Sequence, residues 1–310
     1  MQIFTFRDHD PAASDAILTV GNFDGVHLGH QALIRRVVDE ARAEGGHSAL
    51  MTFTPHPQKV LRNKEVPILT GLNLRLRLFE GLGLDAVYLV PFTRGLAAKS
   101  AEEFVAEYLI AHFRMRKLVI GYDFAFGRNR SGTAEVLSDL SGRYGFAFEI
   151  FPAVSLGEEI VSSTRTRAAL RASDFALAEK LLGRPWSVLE PVVEGAHRGH
   201  ELGFPTANLQ PQDLLPIPFG VYVSRVRHEG RTYGGVSNYG LKPTVGSEGP
   251  TLETLLFDFE GDLYGELLEV MPCHRLRGEK KFPSLDALKA QIDADAHQAR
   301  AWLGGQGAAG

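Results

Sequence analysis

Apolar and polar positions follow two different patterns along the chain. Up to Leu182, short apolar runs of strand length precede stretches with apolar residues at i, i+3 and i+4. The first run holds Ile17, Leu18 and Val20, and the helical pattern after it holds Leu33, Ile34, Val37, Val38 and Ala41. The alternation continues as strand 48–53, helix 74–82, strand 86–90, helix 101–113, strand 118–120, helix 133–144, strand 147–151 and helices over 164–182. Repeated strand–helix order predicts an α/β fold with a doubly wound parallel sheet. From Gly183 the pattern changes to short β-rich runs at 188–193, 220–227, 232–236, 252–259 and 267–271, separated by turns rich in Gly, Pro and Asn. These predict a smaller antiparallel β-barrel or sandwich. A C-terminal amphipathic helix begins near Ser284 (Leu285, Leu288, Ile292), and the Gly/Ala-rich tail from Gly304 reads as disordered. The segment Gly183-Arg184-Pro185-Trp186 is the expected boundary, giving domains 1–183 and 184–310.

Length and composition narrow the function class. The 310 residues suffice for two domains at roughly 150 residues each. A net charge of −4 gives no basic footprint, so neither nucleic acid nor an acidic membrane surface is an expected partner. No apolar run approaches the roughly 20 residues of a membrane span, and residues 1–9 lack the basic-then-apolar order of a signal peptide. A single cysteine, Cys273, cannot form a disulfide framework, which fits a reducing compartment. The cytoplasm is the expected location.

The chemistry gathers in the turns. Gly21-Asn22-Phe23-Asp24-Gly25-Val26-His27-Leu28-Gly29-His30 lies between the first strand and the first helix. A Gly-rich turn there aims backbone N–H groups and the positive end of a helix dipole at an anion. Two imidazoles beside that turn can donate to phosphate oxygens as charge builds on them in a displacement at phosphorus. Zinc is disfavoured, since no third ligand stands at a familiar spacing. Thr52-Phe53-Thr54-Pro55-His56-Pro57 reads equally as a rigid turn or as a site loop. Gly121-Tyr122-Asp123-Phe124-Ala125-Phe126-Gly127 offers one polar side chain between aromatics that could be minor core. In Val161-Ser162-Ser163-Thr164-Arg165-Thr166-Arg167, hydroxyls and two arginines open a helix, as a phosphate clamp or a plain cap would. Gly81-Leu82-Gly83-Leu84-Asp85-Ala86 matches the dinucleotide fingerprint but ends a helix instead of opening one, so its glycines are helix stops.

The run over 21–30 resembles the HxGH signature of the nucleotidyltransferase superfamily. Its longer form, GxFDGxHxGH, resembles the N-terminal half of the prokaryotic bifunctional riboflavin kinase/FAD synthetase family. The resemblance implies a nucleotidyltransferase domain that adenylylates FMN, followed by a β-barrel kinase domain that phosphorylates riboflavin, both using ATP and Mg²⁺. Riboflavin, FMN and ATP are then the small-molecule partners, with FMN and FAD as products. It implies His27 and His30 as catalytic groups, with Gly21, Asn22, Phe23, Asp24, Gly25 and Gly29 around the nucleotide. Pro55, His56 and Pro57 would line the flavin side, Asp123 and Phe124 would contact ligands with Phe126 nearby, and Ser162, Ser163, Thr164 and Arg167 would hold the triphosphate.

In the second half, Leu202-Gly203-Phe204-Pro205-Thr206-Ala207-Asn208 resembles the kinase signature GFPTAN. The Thr206 hydroxyl and Asn208 amide oxygen are hard donors suited to Mg²⁺. The resemblance implies Glu253 as the catalytic base for the ribityl 5′-hydroxyl, and Gly203, Phe204, Pro205 and Arg277 as binding residues. Four positions depart from the family pattern: His200 where a Gly-Arg pair is usual, Glu194 for His, Lys242 for Arg and Leu255 for His. A histidine of ordinary pKa, about 6.5, grips phosphate less well at neutral pH than arginine. These departures keep open a monofunctional FAD synthetase with a weakened kinase half, and a flavin-binding module without activity.

Overall fold

The structure, a computed structural model, describes residues 1–5, 16–62, 66–113, 115–194, 206–241 and 249–306. The chain packs as two compact units. One holds Met1–Val66 and Arg75–Ser162, and the other Pro67–Leu74 and Ser163–Gly310.

Six strands form the sheet of the first unit: β1 (Gln2–Thr5), β2 (Ala16–Val20), β3 (His47–Thr54), β4 (Ala86–Pro91), β5 (Lys117–Gly121) and β6 (Ala147–Phe151). Their order is β1-β4-β3-β2-β5-β6, and each neighbouring pair is parallel. The connecting helices are α1 (Leu28–Ala43), α2 (Pro57–Arg62), α3 (Leu72–Gly81), α4 (Arg94–Ala98), α5 (Ala101–Phe104), α6 (Ala111–Phe113) and α7 (Ala134–Tyr144). A hairpin, β7 (Ser155–Leu156) and β8 (Glu159–Ile160), follows β6.

Both faces of the central strands are covered, which is why β2 reads as an unbroken apolar run. Ile17, Leu50, Val87 and Val119 pack against Leu33, Ile34, Val37 and Val38 of α1. Leu18, Val20, Met51 and Tyr88 pack on the other side with Phe104, Val105, Leu109 and Phe113. Strand order reverses between β2 and β5, so the loops at their carboxyl ends flank the crevice where such sheets bind ligands.

Two differences from expectation have local causes. The helix expected over 101–113 is interrupted by a π-helical turn, Val105–Ile110, between α5 and α6. β1 is an edge strand with only Phe4 half-buried, so no apolar run announces it. Gly83 takes φ +84° just past α3, as a helix stop requires.

The second unit opens with α8 (Ser163–Arg171) and α9 (Phe175–Leu182). Its barrel comprises β9 (Val188–Val193), β10 (Thr206–Leu209), β11 (Gly220–His228), β12 (Arg231–Leu241), β13 (Pro250–Leu256) and β14 (Leu267–Arg277), followed by α10 (Leu285–Gln306). The barrel is closed in the order β10-β13-β12-β11-β14-β9, with antiparallel neighbours throughout.

Its interior holds Leu209, Tyr222, Val226, Tyr239, Leu252 and Val270. Among them lies a chain of hydroxyls without solvent contact, in which Ser237 Oγ donates to Ser224 Oγ at 2.7 Å and lies 2.8 Å from Thr254 Oγ1. On the outer face, Val221, Val223, Val236 and Phe257 pack with Ala299 of α10.

β12 and β14 run well past the apolar stretches that predicted them, because Ser237, Asn238 and Cys273 to Arg277 continue the ladder with polar side chains. β13 stops before the expected Phe259, and Asp258 sits at φ +57°. Thr206–Leu209, read as a loop motif, is a barrel strand. The expected disorder from Gly304 is corrected as far as Gln306, since α10 continues to that residue.

By packing, α8 and α9 go with the barrel. Leu170, Phe175, Ala178 and Leu182 share an apolar cluster with Trp186 and the barrel interior.

Segment Pro67–Leu74 is strapped to this unit. Ile68 N–H donates to Leu214 O at 3.0 Å, Trp186 Nε1 to Leu69 O at 2.7 Å, and Asn73 Nδ2 to Glu190 Oε2 at 3.3 Å. Burial pushes the Glu190 carboxyl up to about 7, against the Asn73 hydrogen bond and with help from Asp213. The sign follows directly. A carboxyl whose folded pKa exceeds its unfolded value favours folding at low pH, and loses that benefit as pH rises through the folded value. Between about pH 5 and pH 8 the second unit should lose on the order of 3 kcal/mol through this group, and Glu190→Gln should remove that slope. Thermal melts of both proteins across this range check it, and parallel curves would mean that Glu190 does not titrate there.

Candidate active sites

The loop after β2 is pinned in a strained conformation. Phe23 (φ +48°) and Val26 (φ +43°) lie in the left-handed region with Gly25 (φ +92°). For a β-branched valine that conformation is a genuine outlier, of the kind that persists when its surroundings enforce it. Gly21 N–H donates to Met51 O at 3.1 Å and Gln31 Nε2 to Val26 O at 2.9 Å. The Asn22 carbonyl receives Arg75 Nη1 at 2.8 Å and Thr52 Oγ1 at 3.2 Å. Phe23 lies edge-on to Phe79 and to His30, so its ring is a packing anchor. A side chain at Gly21 would press on the Phe23 ring, and one at Gly29 on the His27 ring, each at 3.1–3.2 Å.

These contacts set the two imidazoles. His27 caps α1, its Nδ1 accepting the His30 N–H at 3.3 Å. With Nδ1 an acceptor, the neutral ring carries its proton on Nε2. The His27 and His30 rings stack, with centroids 3.6 Å apart and planes 17° from parallel. Burial first, and the neighbouring His27 second, hold His30 well below the ordinary histidine value. Among the described residues, His30 Nδ1 is buried without a hydrogen-bond partner. Asp24, 2% exposed, completes the buried polar part of this loop.

The other first-half motifs also fall at the carboxyl edge. The Thr54–Pro55 peptide is cis, and His56 Nδ1 accepts the Gln58 N–H at 3.3 Å as α2 begins at Pro57. Asp123 is exposed after β5, and Phe124 N–H closes the turn on Gly121 O at 3.0 Å. Phe124 stacks on Phe126, but Phe126 is core, 8% exposed beside Phe104, and it leaves no room for a Cβ on Gly132. The 162–167 run straddles the division between units. Ser162 ends the first, while Ser163, Thr164 and Arg167 open α8 in the second, where Arg167 Nε donates to Pro67 O at 2.9 Å. Sequence reasoning missed Arg75. Its signal was an arginine on the same helix face as Phe79, four residues on.

In the second unit, Asn208 of β10 and Asn238 of β12 both stand directly opposite Glu253 of β13. Their neighbours Ala207, Leu209, Tyr239 and Leu252 face the barrel interior, so the pleat puts Asn208, Glu253 and Asn238 on the outer face. Thr206 lies on that face too, opposite Leu255, which packs toward α10. The Asn208 amide nitrogen donates to Thr206 O at 3.2 Å, a bond in which its oxygen takes no part.

Arg277 has a different engagement from the expected ligand contact. Its guanidinium grips Asp295 of α10 through Nε and Nη2 at 2.7–3.1 Å, and Asp295 is 3% exposed. Gly203, Phe204, Pro205, His200 and Lys242 lie outside the described residues.

A parallel sheet with a histidine-bearing loop at its switch point, followed in the chain by a closed barrel with an Asn–Glu–Asn row, defines a two-part nucleotide-using transferase. The FAD synthetase family model matches residues 9–165 and the riboflavin kinase model residues 182–303. The chain is 38% identical over 289 residues to the bifunctional riboflavin kinase/FMN adenylyltransferase of Haemophilus influenzae, covering 92% of this chain and 94% of that one. It is 38% identical over 290 residues to the Escherichia coli K12 protein of the same name, covering 93% of each. A solved Streptococcus pneumoniae chain, described as a macrolide-efflux protein, superimposes with a TM-score of 0.76 at 32% identity, covering 97% of this chain and 99% of that one. The chain belongs to the bifunctional riboflavin kinase/FMN adenylyltransferase family. It is an enzyme that makes FMN from riboflavin and ATP, then FAD from FMN and ATP. Among the described residues no helix is long and apolar enough to cross a membrane.

Proposed function

We propose that the two reactions divide between the loop after β2 and the outer face of the barrel. Adenylyl transfer needs no protein nucleophile, because the FMN phosphate attacks the α-phosphorus of ATP in line and pyrophosphate leaves. His27 donates from Nε2 to the reacting phosphate oxygens. His30 enters neutral, and the anion beside it favours its protonation as charge develops. Asp24, Gly25 and Gly29 shape the loop, Pro55, His56 and Pro57 line the flavin side with Asp123 and Phe124, and Ser162, Ser163, Thr164 and Arg167 serve the triphosphate. The stacked, partly unsatisfied imidazole pair carries this reading.

In the kinase reaction Glu253 takes the proton of the ribityl 5′-hydroxyl as that oxygen attacks the γ-phosphorus. The Asn208 amide oxygen and the Thr206 hydroxyl are hard donors on one strand, which fits Mg²⁺. When bound, the ion neutralises charge on the ATP phosphates. The Asn208–Glu253–Asn238 row supports this reading. A cytoplasmic location agrees with the single cysteine. Assaying FMN and FAD made from riboflavin by His30→Ala and Glu253→Gln tests the division, since each variant should lose one product-forming step.

We also place the functional boundary near Gly183, at the start of the riboflavin kinase match over 182–303. Packing adds a condition. A piece starting at Arg184 loses the apolar cover of Leu170, Phe175 and Leu182, each worth about 1.5–3 kcal/mol when buried. A piece starting at Ser163 should therefore melt at higher temperature than one starting at Arg184, while both phosphorylate riboflavin. Circular-dichroism melts with an FMN assay check this, and coincident melts would show that α8 and α9 add nothing to the barrel.

A further inference from the structure

The loop after β5 ends in a strained turn on a fixed base. Asn129 (φ +56°) and Arg130 (φ +60°) both lie in the left-handed region, and both are exposed. Asparagine tolerates that conformation, whereas arginine is a poor choice for it and glycine would adopt it at no steric cost. The turn cannot relax by shifting, because its foot is locked. Arg128 N–H donates to Lys99 O at 2.7 Å, Arg130 N–H to Gly127 O at 3.0 Å, and Gly132 N–H to Phe126 O at 2.9 Å. A Cβ on Gly127 would strike the backbone of Ala101, and one on Gly132 the ring of Phe126. A side chain kept in such a conformation by its surroundings is a pointer to function.

The Arg130 side chain has one weak tie. Its Nη2 donates to the carbonyl of Asp123 at 3.5 Å, the long end of a hydrogen bond, and among the described residues it makes no ion pair. The basic residues around it are answered. Lys99 pairs with Glu107 at 2.7 Å. Arg128 has Glu103, whose carboxyl is held below its ordinary value foremost by the Ser100 hydrogen bonds, and by Lys99 and Arg128 besides. Arg130 therefore presents a guanidinium without a counter-charge beside Asp123, on the part of the loop assigned to the flavin. β5 pairs with β2, so this loop and the histidine loop rise from adjacent strands.

The chemistry calls for a cation there. In adenylyl transfer an oxygen of the FMN phosphate bonds to the α-phosphorus of ATP, the bond from that phosphorus to the α–β bridging oxygen breaks, and the electron pair leaves with pyrophosphate. The attacking phosphate monoester carries about two negative charges and approaches a group that is itself anionic. His27 and His30 serve the reacting phosphate and the 162–167 run serves the triphosphate, so no cation so far faces the acceptor. The ring and ribityl chain of FMN are neutral, and its phosphate is the part that a planar, bidentate guanidinium grips best. We propose that Arg130 receives the 5′-phosphate of FMN and so makes the adenylylating site favour the phosphorylated flavin over riboflavin. The proposal rests on the assignment of Asp123 and Phe124 to the flavin side, and Asp123→Ala is measured in parallel for that reason.

Arg130→Gln should raise the KM for FMN roughly ten-fold, the loss of one charge-assisted hydrogen bond. The KM for ATP and the phosphorylation of riboflavin should be unchanged. Arg130→Lys, which keeps the charge without the fork, should recover part of the loss. The neutral probe is 5′-deoxyriboflavin, which has neither the phosphate nor the hydroxyl needed to acquire one. Its inhibition constant against FMN in FAD formation should be the same in wild type and Arg130→Gln. An unchanged KM for FMN, a rise confined to the ATP KM, or no recovery with lysine overturns the proposal. So does a parallel weakening of FMN and 5′-deoxyriboflavin, which would show that the substitution disturbs the flavin pocket or the fold. Weaker binding of both flavins to Asp123→Ala beside an unaffected Arg130→Gln removes the phosphate contact alone. If both variants bind both flavins as wild type does, the assignment of the loop to the flavin falls with it.

Discussion

Replacing His30 by alanine should cut the conversion of FMN to FAD by about 10²–10³-fold, while riboflavin is still phosphorylated. The expectation comes from geometry and charge together. His30 is stacked on His27 and held neutral, with a buried ring nitrogen that has no hydrogen-bond partner among the described residues. Such a group gains most when negative charge builds beside it, which is the condition for lowering a barrier and not merely for binding. His27→Ala should have a similar effect with an additional cost, since His27 also caps α1, and losing a cap costs about 1 kcal/mol. His27→Asn separates the two roles, because asparagine caps well but cannot become a cation. Both products, resolved by chromatography after incubation with riboflavin and ATP, give the answer. Equal loss of FMN and FAD formation in a folded variant would defeat the two-site assignment.

The reciprocal result is expected from the barrel. Glu253→Gln should lower FMN formation by about 10²–10⁴-fold, the usual range for a positioned base, and Asn208→Ala should do likewise by removing a donor oxygen. Supplied FMN should still become FAD in both. Glutamine keeps the size of Glu253 and the strand pairing with Asn208 and Asn238, so a loss would report the proton acceptor rather than the fold. For Asn208, the midpoint of Mg²⁺ binding in the presence of ADP, followed by calorimetry, should move to higher concentration. Near-normal FMN yield from Glu253→Gln would remove that residue from the mechanism. An unmoved Mg²⁺ midpoint would remove Asn208 from the ion.

How much of this was legible in the sequence depended on how far apart the partners stand. The β2–loop–α1 unit was legible because its strand, its glycines and its helix period are contiguous. The helix stop at Gly83 could be told from a dinucleotide turn for the same reason. Thr206–Leu209 was not legible as a strand. Four residues after a Gly-Pro-rich stretch carry no usable period, and pairing with β13 and β9 makes them a strand. The far halves of β12 and β14 were hidden because their outward positions are polar, so alternation alone gave no reason to continue them.

Arg75 and Asp295 were missed outright. Arg75 matters through Asn22, 53 residues away, and its only local trace was a charge on an apolar helix face. Asp295 claims Arg277, whose expected role was contact with ligand. Asn238 gains meaning from register with Glu253 on another strand, a relation not written in neighbouring residues.

The hydroxyl chain inside the barrel acts as an alignment key. Ser237 stands opposite Thr254, and Asn238 opposite Glu253, so the two pairs are consecutive rungs of one ladder. A slip of one residue would turn the Asn208–Glu253–Asn238 row inward, which the pleat already forbids. A slip of two would keep the right faces, and hydrophobicity alone would object to it little. It would, however, break the bonds of Ser237 with Ser224 and Thr254, stranding fully buried hydroxyls at about 1–3 kcal/mol each. Three small buried side chains thus act as the gauge that sets Asn208, Glu253 and Asn238 abreast.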